Sequence, residues 1–320
     1  MKILATVLML GALSGAGAQA GPAYPDRPIR IEVGFPPGGA IDTIARTIAP
    51  KMAESMGQAV VVENRPGAGG IISAQSVARS SPDGYTLFMG TMGNFSITPA
   101  LKKDLPYSVE KDFAPITLVA SSDFVLYVNP NLPVKSVSEL ITYSKSHPQG
   151  IHFSSSGLGG LPHMAGEMFN AATGAKMVHV PYKGSSPSIS DVMAGQVQLT
   201  FEAAAIGLPF VKAGKLRALA TTGEKRSPSF PDAAAVNETV PGFVVSNWCG
   251  LAAPANTPAP VVHRLQQEVA KVMQDPTVVS TLRSLGVEPV ASTPESFAGY
   301  LKEENLRWAR VIEDAGIRLD

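Results

Sequence analysis

The chain has 320 residues and carries 26 Lys and Arg against 26 Asp and Glu, so its formal net charge is zero. This balance provides no basic surface for nucleic acid or for an acidic membrane, and we expect neither partner. The single cysteine, Cys249, excludes an internal disulfide and any multi-cysteine metal or redox motif. Its apolar neighbours predict a buried, unreactive thiol.

The first residues follow the pattern of a secretory signal peptide. Met1 and Lys2 precede an apolar stretch that ends at the small-residue sequence Ala18-Gln19-Ala20. The stretch is shorter than the roughly 20 residues that a membrane-spanning helix needs. We therefore predict a signal peptide over residues 1–20, cleavage after Ala20, and a soluble exported protein.

Strands and helices alternate through the first part of the mature chain. Apolar alternation predicts a strand over residues 29–33, and an apolar stripe followed by Gly57 predicts a helix that begins near Asp42. Further strands are predicted over residues 60–63 and 85–89, with a second helix between them. This order favours an α/β fold with a parallel sheet.

The same alternation continues and then gives way to helices. Strands are predicted over 124–128, 151–154, 177–180, 197–201 and 216–220, and helices over 136–146, 161–172, 186–194, 203–213, 259–274, 277–285 and 294–315. In the last helix we expect Phe297, Leu301, Leu306 and Val311 to share related faces.

The length of the chain predicts two lobes, because it exceeds what one hydrophobic core usually organises. We expect the chain to enter the second lobe near Ser121 and to return near Ser246. The first lobe would then comprise residues 21–121 and 246–320, and the second lobe residues 122–245.

Loops rich in glycine or proline follow several predicted strands, at residues 35–40, 66–70, 90–94 and 154–162, and Glu202 follows another. In an open α/β sheet, ligands bind where strands end and helices begin. Glycine lets backbone N–H groups approach an anion, and the helix dipole adds favourable potential. Each loop alone could be a tight turn, but together they predict an anion site.

The sequence contains no complete motif for another kind of site. The chain has neither a phosphate-binding G-x-x-x-x-G-K-[ST] string nor a dinucleotide fingerprint with its acidic partner, so we expect no cofactor. His152, His163 and His179 form no metal-binding motif. A hydrolase using Ser155 or Ser156 with His163 stays open as an alternative, although the G-x-S-x-G elbow is missing. We otherwise predict no catalytic residue and no enzyme activity.

Many ordered motifs resemble the extracytoplasmic receptors of tripartite tricarboxylate transporters, also called the Bug family. They are YPDRPI at 24–29, GFPPGGAID at 34–42, VVVENRPGAGG at 60–70, PDGYTL at 82–87, HMAGEMF at 163–169, HVPYKGSSP at 179–187 and GKLRALA at 214–220. The resemblance covers essentially the whole mature chain. It implies a type II periplasmic-binding-protein fold, in which two α/β lobes joined by two crossover strands close on one ligand in the cleft between them.

The resemblance also implies which residues hold the ligand. In the first lobe these are Phe35, Gly38, Gly39, Ala40, Asp42, Thr91, Gly93 and Asn94, and in the second lobe Ser155, Gly157, Gly159, His163 and Glu202. Phe35 would form a wall, residues 38–40 would offer backbone N–H donors, and Asp42 would cap the helix or hold a water molecule. Glu202 departs from the family pattern, which more often has Asp there, and this leaves the specificity open.

The function that the resemblance implies is capture of a small carboxylate in the periplasm. The ligand could be a dicarboxylate, a tricarboxylate, an amino acid or an aromatic acid. The expected partners are this organic acid and the membrane subunits of a tripartite tricarboxylate transporter, with the receptor itself a monomer. A co-receptor that presents its ligand to a membrane sensor stays open as an alternative.

Overall fold

The computed structural model describes residues 24–102, 104–147, 150–157 and 160–314. The predicted signal peptide and Gly159 therefore lie outside the described residues. The strands are β1 (Ile29–Val33), β2 (Val60–Asn64), β3 (Thr86–Thr91), β4 (Phe113–Val128), β5 (Ile151–Ser155), β6 (Met177–Pro181), β7 (Leu199–Ala203), β8 (Arg217–Thr221), β9 (Ala234–Ala235), β10 (Ser246–Pro254) and β11 (Glu288–Pro289).

Helices fill most of the intervals between these strands. They are α1 (Ala40–Met56), α2 (Ile71–Ala78), α3 (Thr98–Leu101), α4 (Val109–Asp112), α5 (Val137–Ser146), α6 (Leu161–Thr173), α7 (Ser185–Ala194), α8 (Ala204–Lys212), α9 (Ala259–Val272), α10 (Pro276–Ser284) and α11 (Pro294–Asp314), with short 3₁₀ or π turns at Ala68–Gly70, Gly93–Ile97 and Val236–Glu238. Within the described ranges, no helix has the length and apolar character needed to cross a membrane.

The first lobe is built on a sheet with the strand order β2-β1-β3-β10-β4. β1 is parallel to β2 and β3, whereas β10 is antiparallel to β3 and β4. Because β1, β2 and β3 are parallel, their C-terminal ends lie along one edge of the sheet, and the loops that follow them are neighbours.

The second lobe repeats this plan around β5, which is parallel to β6 and β7. The long strand β4 takes part in both sheets, because its first part pairs with β10 and its last part, from Phe124, pairs with β7 and β8. The chain returns through residues 222–245, where Val245 N donates to Thr222 O over 2.9 Å. The partner of β4 changes close to the lobe boundary at 121/122, which stays a prediction.

Helix α1 shows why the sequence folds locally as expected. Its apolar stripe, which includes Ile44, Ile48 and Met52, is buried against the sheet. The helix ends at Gly57, whose φ of 68° is in the left-handed region. Glycine reaches this conformation without the steric cost of a Cβ atom, so it terminates the helix.

Two expectations about the later chain are wrong in part. β4 begins at Phe113 rather than near residue 124, and the strand β10 was not anticipated, because fully buried strands show no polar alternation. In α11, Leu306 is 55% exposed, whereas Trp308 is fully buried. Phe297, Leu301 and Trp308 follow the helical spacing of three to four residues, and Leu306 falls off that face.

Candidate ligand-binding site

A cavity of about 230 Å³ lies between the start of α1 and the strands that join the two lobes. It is lined by Phe35, Gly39, Ala40, Ile41, Ile44, Thr91, Ala120, Ser121, Ser122, Asn247, Trp248, Cys249 and Val287. Phe35, Gly39, Ala40 and Thr91 were expected at the site, and the structure brings them together on this cavity. The residues of β4 and β10 were not expected, because only the pairing of these two strands places them there.

The first turn of α1 lies at the cavity, whose lining includes Gly39, Ala40 and Ile41. Gly39 is the N-cap and has an extended conformation, so Ala40 and Ile41 are the first helical residues. Their N–H groups lie too early in the helix to have an intrahelical acceptor. Together with the positive end of the helix dipole, they form a favourable environment for an anion.

The buried carboxylate of Asp42 holds the loop before α1 in place. It accepts hydrogen bonds from Gly38 N (2.8 Å), Arg46 Nε (3.0 Å) and Asn64 Nδ2 (2.7 Å). Burial by itself raises the pKa of Asp42, but these donors outweigh it and keep the pKa below its ordinary value. The amide of Gly38, an expected ligand donor, therefore donates to Asp42 instead. Asn64 and Arg46 were not predicted as site residues, because their role is to hold Asp42 and not to contact the ligand.

Asn94 has a similar holding role between the loops after β2 and β3. Its side-chain oxygen accepts from Thr91 N (3.1 Å) and Thr91 Oγ1 (2.9 Å), and its side-chain nitrogen donates to Gly69 O (2.7 Å). Asn94 is buried, and Tyr107 donates to its backbone oxygen. Gly93 lies between Thr91 and Asn94 at the start of the π turn. In this arrangement Asn94 positions Thr91 and does not itself reach the cavity.

A close approach of two loops explains part of the glycine-rich 60–70 motif. A Cβ atom on Gly34 would lie 2.6 Å from the Cα atom of Gly70. No side chain fits at this distance, so glycine lets the loop after β2 pack directly on the end of β1. The loop thus supports the one before α1.

The expected second-lobe residues lie along the C-terminal edge of the β5–β6–β7 sheet. Ser155 Oγ is 2.6 Å from His179 Nε2 and 3.0 Å from Gly157 O, and it accepts from Gly157 N at 3.2 Å. Ser155 therefore shapes the turn at Gly157, whose φ of 151° suits glycine. His163 lies at the start of α6, and its ring stacks on that of His179 with centroids 3.9 Å apart.

The geometry departs from one form of the hydrolase alternative, because Ser155 is hydrogen-bonded to His179 rather than to His163. Burial and the neighbouring His163 lower the pKa of His179 to about 4. Burial also lowers the pKa of His163, an effect that Glu167 partly opposes from 3.7 Å. A general base works best with a pKa near the operating pH, so His179 is poorly suited to activate a serine at neutral pH.

Glu202 lies on β7 at the same edge as Ser155 and is only 3% exposed. Its Oε1 accepts from Ala203 N over 2.9 Å, and its Oε2 is buried without a well-formed hydrogen bond among the described residues. Burial raises the pKa of Glu202, although nearby Ser185 and the Ala203 amide lower it in part. Its position at this edge is compatible with the expected role, but its burial places it beneath the surface of the lobe.

Cys249 contributes a neutral wall to the cavity. It is 4% exposed, and burial raises the pKa of its thiol to about 12. The expectation of a buried thiol is confirmed. Among the described residues, no group of three or more His, Cys, Asp or Glu is placed to hold a metal ion.

Comparison with known proteins gives one consistent result. A family profile described as "Tripartite tricarboxylate transporter family receptor" matches residues 44–317. A UPF0065 protein from the tcbD-tcbE intergenic region of Pseudomonas sp. is 37% identical over 313 residues, which are 97% of this chain and 93% of that protein. Protein BugT of Bordetella pertussis is 35% identical over 321 residues, covering 99% and 98% of the two chains.

Solved structures match this chain over nearly its whole length. An R. palustris protein with adipate is 34% identical (TM-score 0.73, covering 92% of this chain and 99% of that one). MatC from Rhodopseudomonas palustris with bound malate is 32% identical (TM-score 0.69, 90% and 100%). A ligand-free TctC solute binding protein from Polaromonas is 25% identical (TM-score 0.84, 91% and 99%). The expected periplasmic-binding-protein fold is confirmed.

The lining of the cavity comes from the first lobe and the connecting strands. Ser155, Gly157, His163 and Glu202 are not among the residues that line it, and their contact with a ligand stays a prediction.

Proposed function

The chain belongs to the tripartite tricarboxylate transporter receptor family, and from this membership we propose that it captures a small carboxylate in the periplasm for such a transporter. The observation that carries the proposal is the start of α1, whose first residues line a cavity of about 230 Å³ and whose first amides have no intrahelical acceptor. The membrane subunits of the transporter would then receive the ligand. The receptor would act as a monomer and as a binding protein rather than an enzyme.

In this proposal the carboxylate binds to the first turn of α1. The amides of Gly39, Ala40 and Ile41 donate to its oxygens, the helix dipole adds favourable potential, and Phe35 covers one side of the ligand. Asp42 and Asn94 contribute by fixing the loops and do not contact the ligand directly. This division of roles follows from the hydrogen bonds that already occupy both side chains.

Closure of the second lobe completes the binding. Charge-assisted hydrogen bonds contribute about 1.5–3 kcal/mol each before ordering costs, and micromolar affinity requires about 8 kcal/mol. Two or three amides therefore provide little margin against the cost of association. Ser155, Gly157 and His163, with Gly159 outside the described residues, would supply the remaining contacts from the opposite side of the cleft.

The bound molecules of two family structures support this choice of ligand class. Adipate and malate, the ligands of the two R. palustris proteins, are both small carboxylates. Ser155 is hydrogen-bonded to His179, whose pKa of about 4 makes it a poor general base at neutral pH, and this supports binding over hydrolysis at Ser155.

Calorimetry on residues 21–320, unfolded and refolded to release any retained ligand, tests the proposal. We expect at least one small organic acid to bind with micromolar affinity, and ligand at 100 times its Kd to add about 2.7 kcal/mol to the free energy of unfolding. The carboxamide of each acid is the matched control, because it keeps the shape and removes the charge. Binding of no acid, or equal binding of acid and amide, would contradict the proposal.

A further inference from the structure

The walls of the cavity carry no formal charge. Away from the α1 amides they are formed mostly by apolar side chains, and the remaining side chains are polar but uncharged; they are Phe35, Ile41, Ile44, Val287, Trp248 and Cys249, with Thr91, Ser121, Ser122 and Asn247. None of the cavity-lining residues is a Lys, an Arg, a His, an Asp or a Glu. A ligand that places its carboxylate on α1 therefore extends its other end into uncharged surroundings.

Several polar atoms in these walls are already engaged elsewhere. Trp248 Nε1 donates to Glu304 Oε2 over 3.1 Å, and Glu304 is not a lining residue. Thr91 Oγ1 donates to Asn94 over 2.9 Å. The Cys249 thiol stays protonated because burial raises its pKa to about 12. These walls offer mainly apolar surface for packing, and the polar side chains that remain, Ser121, Ser122 and Asn247, carry no charge that could pair with a second anion.

The charged groups next to the lining residues are acidic. Asp123 follows Ser122, and Glu288 follows Val287. Burial and the nearby Glu288 raise the pKa of Asp123 to about 6, so negative charge is already disfavoured in this region. Two arginines of this region are already paired, Arg46 with Asp42 over 3.0 Å and Arg283 with Glu288 over 3.0 Å.

We infer that this receptor selects monocarboxylates with a compact apolar body over dicarboxylates and tricarboxylates. This inference rests on the proposed function and concerns the end of the ligand that points away from α1. A second carboxylate would lie against mostly apolar, uncharged walls, and neither these walls nor the second-lobe residues expected at the ligand include a Lys or an Arg. Burial of an unpaired charge is strongly unfavourable. An alkyl chain or an aromatic ring instead gains from contact with the same walls.

The test compares matched pairs of acids on the refolded chain by calorimetry at pH 7.5. Hexanoate is compared with adipate, butyrate with succinate, and benzoate with terephthalate. We expect the monocarboxylate of the best-binding pair to bind at least tenfold more tightly. Equal or tighter binding of the dicarboxylate would overturn the inference while leaving the proposed function intact, whereas binding of no acid would contradict the proposed function itself.

A charge-insertion variant tests the physical cause. Asn247 lines the cavity and is exposed, so Asn247→Lys adds an ammonium group there without altering the core. We expect Asn247→Lys to reduce the preference for the monocarboxylate at least tenfold, and Asn247→Gln, the uncharged control, to leave it unchanged. An unaltered preference in the lysine variant, with the fold verified by circular dichroism, would show that the missing counter-charge does not set the specificity.

Discussion

The backbone amide of Gly38 donates to Oδ2 of Asp42 over 2.8 Å, so a carboxylate in the first turn of α1 closes the loop that precedes its own helix. The same carboxylate accepts from Asn64, whose amide also donates to Phe35 O over 3.1 Å. The two ends of the loop are thus tied to a bonded pair of side chains, Asp42 and Asn64. This explains how a segment with two prolines and two glycines can present the α1 amides in a fixed direction.

Replacement of Asp42 by Ala should weaken both the fold and ligand binding. The change leaves the donors of Gly38 and Asn64 without their acceptor, which costs about 1–3 kcal/mol of the free energy of unfolding. We expect a loss of this size in urea denaturation and at least a tenfold weaker Kd in calorimetry.

Asp112, the last residue of the short helix α4, provides the matched control, because its carboxylate accepts from Ser108 N over 2.7 Å with the same four-residue spacing. Asp112→Ala should lower stability but leave the affinity unchanged. Normal affinity in Asp42→Ala would mean that the loop does not position the ligand donors.

Removal of a single backbone donor tests anion capture by α1 directly. Ala40 is the first helical residue and is exposed, and Gly39 before it has φ −73° and ψ 165°. Proline is tolerated at this helical position and after an extended residue, so Ala40→Pro removes the N–H group without breaking the helix. We expect the Kd for a carboxylate to rise at least tenfold and the melting temperature to stay nearly unchanged.

Ala259→Pro is the control for this variant. Ala259 is likewise exposed and is the first residue of α9, after Pro258 with φ −56° and ψ 134°. It should bind ligand as the unaltered chain does. Equal affinity of the two proline variants would exclude the Ala40 amide as a ligand donor.

The sequence predicted the elements that are encoded locally. The strand at residues 29–33 was predicted with its observed ends, and α1 was predicted from its apolar stripe and from Gly57. These signals depend on side-chain periodicity and on the conformational freedom of one glycine. Resemblance of many motifs to one family supplied the two-lobed fold, which periodicity alone could not.

The part of the site that the sequence could not predict depends on contacts between distant residues. Ser122 and Asn247 face each other only because β4 and β10 pair in a particular register. Asn64 donates a hydrogen bond to Asp42, although the two residues are 22 positions apart in the chain. Asp42 also accepts the hydrogen bond of the Gly38 amide, which the sequence had assigned to the ligand. Strand register and hydrogen-bond partners follow from tertiary packing, which no local pattern reveals.

The turn between α10 and β11 touches the second lobe, and a small substitution should disturb this contact. A Cβ atom on Gly286 would lie 2.7 Å from the Cβ atom of Ala205 in α8, and Gly286 has φ 69°. Gly286→Ala therefore combines backbone strain with steric overlap. Because Val287 lines the cavity, we expect Gly286→Ala to weaken ligand binding at least threefold and to change the radius of gyration in small-angle scattering.

Gly242 separates these two effects. It also has a left-handed φ, of 84°, but a Cβ atom there would meet nothing within 4 Å. Gly242→Ala should show only the backbone cost of about 1–2 kcal/mol, with unchanged affinity and dimensions. The same binding in both variants would mean that the Gly286 contact has no influence on the cleft.

The buried carboxyl of Glu202 should make stability depend on pH in a defined direction. Because burial raises its folded-state pKa, the folded state favours the protonated form. Its contribution to stability is therefore full below the unfolded-state pKa of about 4.3 and is lost as the pH rises through the folded-state pKa. Glu202→Gln keeps the shape, cannot ionise, and should escape this loss.

Near pH 4 we expect urea denaturation to give the same free energy of unfolding for the glutamine variant and the unaltered chain. At pH 8 the variant should be more stable by roughly 1–2 kcal/mol, the range for relief of an unsatisfied buried group. Asp123, whose pKa is also raised, titrates equally in both proteins and cancels in the difference. Glu303→Gln, on an exposed position of α11, should leave the profile unchanged. A variant less stable than the unaltered chain at pH 8 would mean that a partner such as Ser185 satisfies the ionised carboxylate. The claim that burial of ionised Glu202 is unfavourable would then be wrong.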